Sequence, residues 1–274
     1  GLYKLPAYPA TIGMEAAGVV ESVGEGVALK PGDRVAYANP MGSYCTARTM
    51  PAERLVALPA WIDDRTAAGA MLQGMTAQYL LRQTYAVQPG DWVLVHAAAG
   101  GVGQILTQWA THLGAKVIAT AGGPEKVALA KAAGALHAID YRAESFAERV
   151  REITEGRGVD VVYDGVGRDT FMPSLDCLRR RGMMVTYGNA SGPVPAIEPL
   201  LLGNKGGLFL TRPSLFHYTH TREELMACAA DLFAALHVGA VTIAVNQTYP
   251  LAEVAQAHRD LEARRTTGKT VLLP

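Results

Sequence analysis

The chain has 274 residues, of which 49% are hydrophobic and 18% are charged, and its 25 basic and 25 acidic residues give a formal net charge of zero. This length allows one large domain or two ordinary ones, and this composition is typical of a folded globular protein and excludes a disordered one. A neutral chain offers no electrostatic footprint for nucleic acid or for an anionic membrane, so neither is an expected partner.

The cysteine content indicates a reducing compartment. The three cysteines, Cys45, Cys177 and Cys228, are odd in number and far apart, which does not suit a disulfide framework. No apolar run in the sequence reaches the length of a membrane span. We therefore expect a cytoplasmic protein, although a targeting peptide lost before Gly1 would change that expectation.

The first part of the chain, to about residue 60, consists of short strand-like runs broken by Gly and Pro. The segments "AAGVVESVG" and "GDRVAYA" have the β-branched residues and turn residues of an antiparallel β region. Residues 64–85 then carry a helical pattern. A mostly-β region that ends in a helix is predicted here.

From residue 92 the rhythm changes to an alternation of strands and helices. Such a series predicts a parallel sheet covered on both faces by helices, the doubly wound α/β architecture. The predicted strands are "WVLVH", "KVIAT", "HAID", "VDVVYD" and "MMVTYG", with helices that begin near Gly101, Pro124, Ser145 and Asp169.

After residue 213 the alternation stops. A helix over residues 222–238, a strand near 241–245, a helix over 251–263 and a last strand "KTVLLP" are predicted. We expect this carboxy-terminal segment to rejoin the first domain.

A glycine-rich turn follows the first strand of the alternating region. The spacing is Ala97-x-x-Gly100-x-x-Gly103, between a buried strand that ends at His96 and an amphipathic helix that starts at Gly101. Glycines at such a turn let the backbone approach a pyrophosphate, which then lies at the helix amino terminus. The turn therefore predicts dinucleotide binding.

The cofactor is expected to be NADPH rather than NADH. An NAD site normally has an acid at the end of the second strand to bind the ribose hydroxyls, but residues 120–123 here read Thr-Ala-Gly-Gly. Lys126 follows, and Tyr141-Arg142 stand at the end of the next strand. Cations without an acid suit a 2′-phosphate; the alternative is that Lys126 is only a solvated helix residue.

The region around Gly13-Met14-Glu15, followed by Gly18 and Gly24, resembles the signature of the medium-chain dehydrogenase/reductases. The second position of that signature is usually a zinc-binding His, and a thioether such as that of Met14 is a poor zinc ligand. The closely spaced cysteines of the family's structural zinc lobe are also absent. With "HAAAGGVGQILTQWA", "VYDGVGRDT", "YGNASG" and "GKTVLLP", the chain resembles the zinc-free NADPH:quinone oxidoreductases (the zeta-crystallin group), so no metal is expected.

The resemblance implies two domains and a homodimer. A GroES-like, mostly-β catalytic domain would comprise residues 1–75 and 214–274, and a Rossmann NADPH-binding domain residues 76–213. The segment "GLFLT" (Gly207–Thr211) would lie at a sheet edge and pair with a second copy. Members of the family have several strands before the position of Gly1, so we expect the catalytic domain to be incomplete at its amino terminus and cofactor binding to be separable from turnover in these 274 residues.

The resemblance also implies site residues. Tyr3 is the candidate catalytic residue beside the substrate. The implied cofactor-binding residues are Thr76, Gly100, Gly101, Val102, Gly103, Gly122, Gly123, Lys126, Tyr141, Val166, Gly188, Asn189, Ser191, Leu210, Thr211, Arg212 and Arg264.

The expected activity is hydride transfer from NADPH to a quinone, which needs orientation and an apolar slot more than a strong general acid. Reduction of the activated double bond of an enone or enoyl thioester remains an alternative, because no feature of the sequence decides where the hydride is delivered. A third alternative, from another class, is a dinucleotide-binding structural or RNA-binding protein. The particular quinone or enone stays open.

Overall fold

The computed structural model describes residues 8–263 and 265–274, and the elements named here are those of the described residues. A helix over Asp64–Tyr79 continues into a π-helical turn at Leu80–Thr84, and single 3-10 turns occupy Ala52–Arg54 and Leu251–Glu253. The strands are β1 (Glu15–Val19), β2 (Arg34–Ala38), β3 (Val56–Ala57), β4 (Trp92–Val95), β5 (Lys116–Ala121), β6 (His137–Asp140), β7 (Val159–Asp164), β8 (Leu178–Thr186), β9 (Phe209–Thr211), β10 (Val245–Pro250) and β11 (Lys269–Leu273). The α-helices are α1 (Asp64–Tyr79), α2 (Gly101–His112), α3 (Pro124–Ala132), α4 (Phe146–Ile153), α5 (Phe171–Cys177), α6 (Pro199–Asn204), α7 (Leu215–Tyr218), α8 (Arg222–His237) and α9 (Val254–Glu262).

The chain divides into two units. The first unit comprises Gly1–Met75, Tyr218–Leu232 and Ile243–Pro274, and the second comprises Thr76–His217 and Phe233–Thr242. Residues 214–217 and 233–242, which the sequence assigned to the catalytic domain, therefore cluster with the second unit. The assignment of domains as 1–75 with 214–274 and 76–213 stays a prediction in other respects.

The second unit is built on a six-stranded sheet in the order β6-β5-β4-β7-β8-β9, and every neighbouring pair in it is parallel. The chain begins at the central strand β4, runs outward to β6, and then returns to β7 on the other side of β4. Val95, at the end of β4, pairs with Ala119 and with Tyr163. The predicted parallel α/β sheet is confirmed, and its topological switch point lies between β4 and β7.

Local sequence explains the helices around this sheet. In α2 the residues Ile105, Leu106, Trp109 and Ala110 recur at helical spacing, and all four are buried. In α3, Pro124 occupies the first turn, where its missing N–H leaves no bond unmade. The covering helices and strands close over a core that includes Leu94, Ile118, Ile139, Val162, Phe171, Leu175 and Met184.

The first unit contains two small sheets. Strands β1, β2 and β3 form an antiparallel sheet in that order, and β10 pairs in parallel with β11. The four residues of β2 after Arg34 are all buried. No helix within the described ranges is both long and apolar enough to cross a membrane.

The strand expected near residues 241–245 is displaced along the chain. The strand is β10 and starts only at Val245, whereas Thr242 is held in an irregular segment by Gln108 of α2. The Gln108 side-chain oxygen accepts from the backbone N–H and the hydroxyl of Thr242, both at 2.8 Å. A tertiary contact thus overrides the β-propensity of "VTIAV".

Candidate cofactor and active site

Most of the predicted cofactor-binding residues of the second unit lie at one edge of its sheet. The loops that follow β4, β5, β6, β7 and β8 all leave the carboxyl ends of parallel strands, where ligands of open α/β sheets bind. Gly100–Gly103, Gly122, Gly123, Tyr141, Val166, Gly188, Asn189 and Ser191 lie in these loops or in the first helical turn after them.

The loop after β4 fits a pyrophosphate. A Cβ at Gly103 would lie 2.3 Å from the carbonyl oxygen of Ala97, so only glycine allows α2 to start this close to the loop. Gly100 caps α2, and no side chain of the described residues bonds to the first-turn N–H groups. Those groups have no intrahelical acceptor. The helix amino terminus is therefore open to an anion, as the pattern predicted.

The end of β5 is lined by an aromatic and a basic side chain. The Tyr141 hydroxyl lies 2.5 Å from the Cβ position of Gly122, and Arg142 Nη1 lies 3.6 Å from that of Gly123. Lys126, half-buried, is in the first turn of α3. The structure thus adds Arg142 to the predicted residues at this edge.

Asp140 lies at this edge, and one of its carboxylate oxygens is bonded to the loop backbone. Its Oδ1 accepts from the N–H groups of Gly123 (2.9 Å) and Arg142 (3.0 Å). These two backbone hydrogen bonds hold the pKa of Asp140 below its usual value. Its carboxylate shapes the turn, so it differs from the ribose-binding acid of NAD sites.

The loops after β7 and β8 are bonded to each other. The N–H of Ser191 donates to the Val166 carbonyl (2.8 Å), and the Ser191 hydroxyl donates to the same oxygen (2.9 Å). A Cβ at Gly188 would lie 2.5 Å from the Gly165 carbonyl oxygen, so the loops could not approach this closely with another residue there. Val166, Gly188, Asn189 and Ser191 therefore belong to one rigid wall.

Asp164 fixes the base of that wall. Its Oδ1 accepts from the N–H groups of Val166 (2.7 Å) and Gly167 (3.1 Å) and from the hydroxyl of Thr170 (2.9 Å). The side chain is fully buried at the end of β7. The sequence analysis did not select Asp164, although an acid directly after a buried strand in "VVYDGVG" is a readable signal.

His96 continues the polar structure beneath the loops. Its Nδ1 lies 2.9 Å from the Thr120 hydroxyl and its Nε2 lies 2.8 Å from the Ser174 hydroxyl, and Ser174 donates to the Thr170 carbonyl. Burial lowers the pKa of His96 to about 4 against the opposing charge of Asp164, so the ring is neutral. His96 connects β4, β5 and α5 as a structural group.

The remaining predicted residues are more scattered. Leu210 and Thr211 are part of β9 and not of a turn, because they pair in parallel with β8, and exposed Arg212 follows them. Thr76 lies in α1 and is half-buried. Tyr3 and Arg264 lie outside the described residues.

The first unit holds a pair of opposite charges, of which Lys269 is buried and Glu15 is half-buried. Glu15 of β1 accepts from the N–H of Leu72 at 2.8 Å, and Lys269 of β11 contacts the side-chain oxygen of Gln73. Burial raises the pKa of Glu15 and lowers that of Lys269 to about 8, while their mutual attraction opposes both shifts. Residues 254 positions apart thus join two sheets to helix α1.

The predicted absence of zinc concerns the same unit. Met14 occupies the position of the usual zinc-binding His, and the thiol of Cys45 donates to the Gly42 carbonyl. Over the part of the chain that the structure describes, no three His, Cys, Asp or Glu side chains converge on a possible metal position. Zinc independence remains a prediction from Met14.

A parallel sheet of this order, with a glycine turn after its central strand, defines a dinucleotide-binding α/β protein. Two family models match the chain: an alcohol dehydrogenase GroES-like domain over residues 1–88 and a zinc-binding dehydrogenase domain over residues 101–235. The chain belongs to the quinone oxidoreductase group of the medium-chain dehydrogenase/reductases.

Three relatives illustrate the likeness. A quinone oxidoreductase of Pseudomonas aeruginosa is 51% identical over all of this chain and 85% of its own length. A 2-haloacrylate reductase of a Burkholderia species is 50% identical over 97% of this chain and 81% of its own. The crystal structure of Escherichia coli quinone oxidoreductase complexed with NADPH has a TM-score of 0.97 and 48% identity, over all of this chain and 85% of that one.

Proposed function

We propose that this protein is an NADPH-dependent quinone oxidoreductase that works without zinc. The observation that carries the proposal is the loop from Ala97 to Gly103, whose open helix amino terminus and glycine contact provide an anion cradle at the switch point of the sheet. The quinone oxidoreductase names and the NADPH of the relatives support the same chemistry.

The basic side chains at the adenosine end support NADPH over NADH. Lys126 and Arg142 lie by the end of β5, and the acid of that region, Asp140, is already bonded to two backbone N–H groups. A 2′-phosphate would meet cations and a tyrosine hydroxyl there.

Bound NADPH supplies the hydride. The contributions of this chain are to bind, to orient and to exclude water: the α2 amino terminus holds the pyrophosphate, and the wall formed by the loops after β7 and β8 orients the nicotinamide half. The fuller set of proposed residues is Thr76, Val102, Val166, Gly188, Asn189, Ser191, Leu210, Thr211, Arg212 and Arg264 for the cofactor, with Tyr3 beside the substrate.

A second candidate is reduction of an activated carbon–carbon double bond. The 2-haloacrylate reductase, at 50% identity, is as similar to this chain as several quinone oxidoreductases are. NADPH oxidation should therefore be followed with a naphthoquinone, with 2-chloroacrylate and with an alkenal. Faster turnover of the quinone supports the first proposal, and turnover of the acrylate alone would replace it with the second.

The cofactor site itself is tested by Gly103→Ala. The added Cβ would overlap the backbone at Ala97, and we expect NADPH to bind about tenfold more weakly or worse, since such overpacking costs about 1–3 kcal/mol. The matched control is Gly203→Ala in α6, where a Cβ meets nothing within 4 Å. If fluorescence titration showed NADPH binding to be weakened equally in both variants, the loop would not be part of the cofactor site.

The proposed assembly is a homodimer through β9. This strand pairs only with β8 in the described sheet, and Phe209 on it is 56% exposed. An exposed apolar edge favours pairing with a second copy. Light scattering should give a dimer at micromolar concentration and a smaller species for Phe209→Asp; a monomeric parent would contradict the proposal.

The buried thiols of Cys177 and Cys228 are compatible with the cytoplasmic location that we propose.

A further inference from the structure

The carboxylate of Asp164 is bonded on one side only. All three of its hydrogen-bond donors, two backbone N–H groups and the Thr170 hydroxyl, reach Oδ1. Its other oxygen, Oδ2, is buried and has no hydrogen-bond partner. A buried acceptor without a donor is costly, so this arrangement needs an explanation.

The hydrogen-bond pattern favours the charged carboxylate form of Asp164 over the protonated form. A protonated carboxyl would have its own O–H to donate, and Oδ2 has no acceptor to receive it. Three donors converging on Oδ1 are instead what a carboxylate anion attracts. No Lys or Arg among the described residues forms an ion pair with this anion.

The neighbours of Asp164 do not neutralise it either. His96 is a neutral ring whose two nitrogens are already bonded to Thr120 and Ser174. Burial raises the pKa of the Tyr187 phenol, and the charge of Asp164 raises it further. The carboxylate therefore acts on its surroundings as an unpaired negative charge at the carboxyl edge of the sheet.

This charge lies directly beneath the wall proposed to hold the nicotinamide, since Val166 and Gly167 donate to it. Hydride transfer breaks the C4–H bond of the dihydronicotinamide with its electron pair and leaves the ring with a positive charge. The quinone is reduced by that pair of electrons and takes one proton from water. A fixed negative charge nearby stabilises the cationic ring more than the neutral one.

We propose that Asp164 provides the negative charge that favours the oxidised, cationic nicotinamide over the reduced one, and so promotes hydride donation. This inference rests on the proposed function. If Asp164 had only a structural role, its hydrogen bonds would not depend on the charge of the nicotinamide ring. Removing its charge would then change the affinities for NADP⁺ and NADPH equally.

The test is the ratio of dissociation constants for NADP⁺ and NADPH in Asp164→Asn. Asparagine keeps an acceptor oxygen for the three donors and removes the charge. We expect the ratio Kd(NADP⁺)/Kd(NADPH) to rise about five- to fifteenfold, the effect of one charge at a separation on the order of 10–15 Å with an effective dielectric constant of about 20. Isothermal titration calorimetry measures both constants without turnover.

The matched control is Asp169→Asn. Asp169 is exposed, lies in the same loop and pairs with Arg168 at 3.0 Å, so the same change of charge occurs in water, and the ratio should stay nearly constant. If Asp164→Asn does not fold, Thr170→Val provides the test: it keeps the carboxylate but removes a donor that partly neutralises it, and the ratio should move in the opposite direction.

An unchanged ratio in Asp164→Asn, with both constants altered in parallel, would overturn the inference while leaving NADPH binding intact. A parent protein that binds neither form of the cofactor would overturn the proposed function as well. A ratio that rises in Asp164→Asn but not in Asp169→Asn supports the electrostatic role.

Discussion

Strand β7 has a buried carboxylate at each end, and the two carboxylates differ in the charge of their hydrogen-bond donors. Asp160, at the amino edge of the sheet, accepts from Arg157 (2.8 Å), Arg179 (2.5 Å) and the N–H of Trp92 (2.9 Å). Asp164, at the carboxyl edge, has only neutral donors.

The pKa of Asp160 reflects its cations. Burial raises the pKa, but the hydrogen bonds from Arg157, Arg179 and Trp92 outweigh burial and hold it below the usual value. At the amino end of β7 the structural carboxylate is paired with two cations. At the carboxyl end, where the loops are proposed to bind a ligand, the carboxylate has no cation beside it among the described residues. The carboxyl edge is the proposed ligand edge, which is why an uncompensated charge is informative there.

The largest loss of stability is expected in the first unit, where the Glu15 carboxylate is paired with Lys269. Lys269→Met leaves the half-buried Glu15 carboxylate without its cation, and should destabilise the protein by about 3 kcal/mol. Urea unfolding measures this loss. The double variant Glu15→Gln with Lys269→Met should recover part of it.

The control for that pair is Asp64→Asn, which breaks the exposed ion pair with Arg34 (2.6 Å) in the same unit. An exposed pair contributes under about 1 kcal/mol. If the two substitutions reduced the free energy of unfolding by similar amounts, Glu15 and Lys269 would be effectively solvated. Glu15 could then not serve as a second carboxylate stabilised by a cation.

A somewhat smaller effect is expected from the neutral polar groups at the carboxyl edge. The pKa of His96 is about 4 in the folded protein and 6.5 in the unfolded chain, so the unfolded chain binds more protons between these values. The stability that neutral His96 contributes is full above pH 6.5 and is lost as pH falls toward 4. From pH 7.5 to 4.5 the loss should be about 2–3 kcal/mol.

Urea unfolding of the parent and of His96→Gln at both pH values isolates this contribution, since glutamine does not titrate. Exposed His217 provides the control substitution, His217→Gln, which should keep the parent's pH dependence. If His96→Gln lost as much stability on acidification as the parent, another group would be responsible.

The two ends of β7 can be compared directly with a matched pair of substitutions. Asp160→Asn loses charge-assisted bonds to two guanidinium groups and should cost about 1.5–3 kcal/mol in unfolding free energy at pH 7. Asp164→Asn, which breaks no ion pair, should cost clearly less. Equal losses would show that the cations at the amino edge add nothing to stability.

Much of the second unit could be predicted because its signals are local. The buried strands β4 and β7 are continuous apolar runs, and the turn after β4 carries its glycines at fixed spacing. Strand β10 was misplaced because "VNQTYP" has no regular apolar alternation, and its pairing with β11 is a tertiary choice.

The contacts that sequence reasoning missed join distant segments of the chain. Arg142 reaches Gly123 only because β6 lies beside β5, and Glu15 meets Lys269 only because α1 joins their two sheets. Asp164 was readable as an acid after a strand, but the lack of a cation beside it is a property of the folded chain.

The smallest effect is expected for the cations at the adenosine end, where Lys126 is half-buried and Arg142 is exposed, so that water screens their charge. Lys126→Ala should remove about 1–3 kcal/mol of the preference for NADPH over NADH, the usual loss with a charge-assisted hydrogen bond to a phosphate. Dissociation constants for both cofactors measure the preference. Lys131→Ala, in the last turn of the same helix α3, removes an equal charge away from the first turn and should leave the preference unchanged. A parent that binds both cofactors equally would contradict the role of Lys126, and a preference that survives Lys126→Ala but falls in Arg142→Ala would transfer that role to Arg142, whose guanidinium lies beside Gly123.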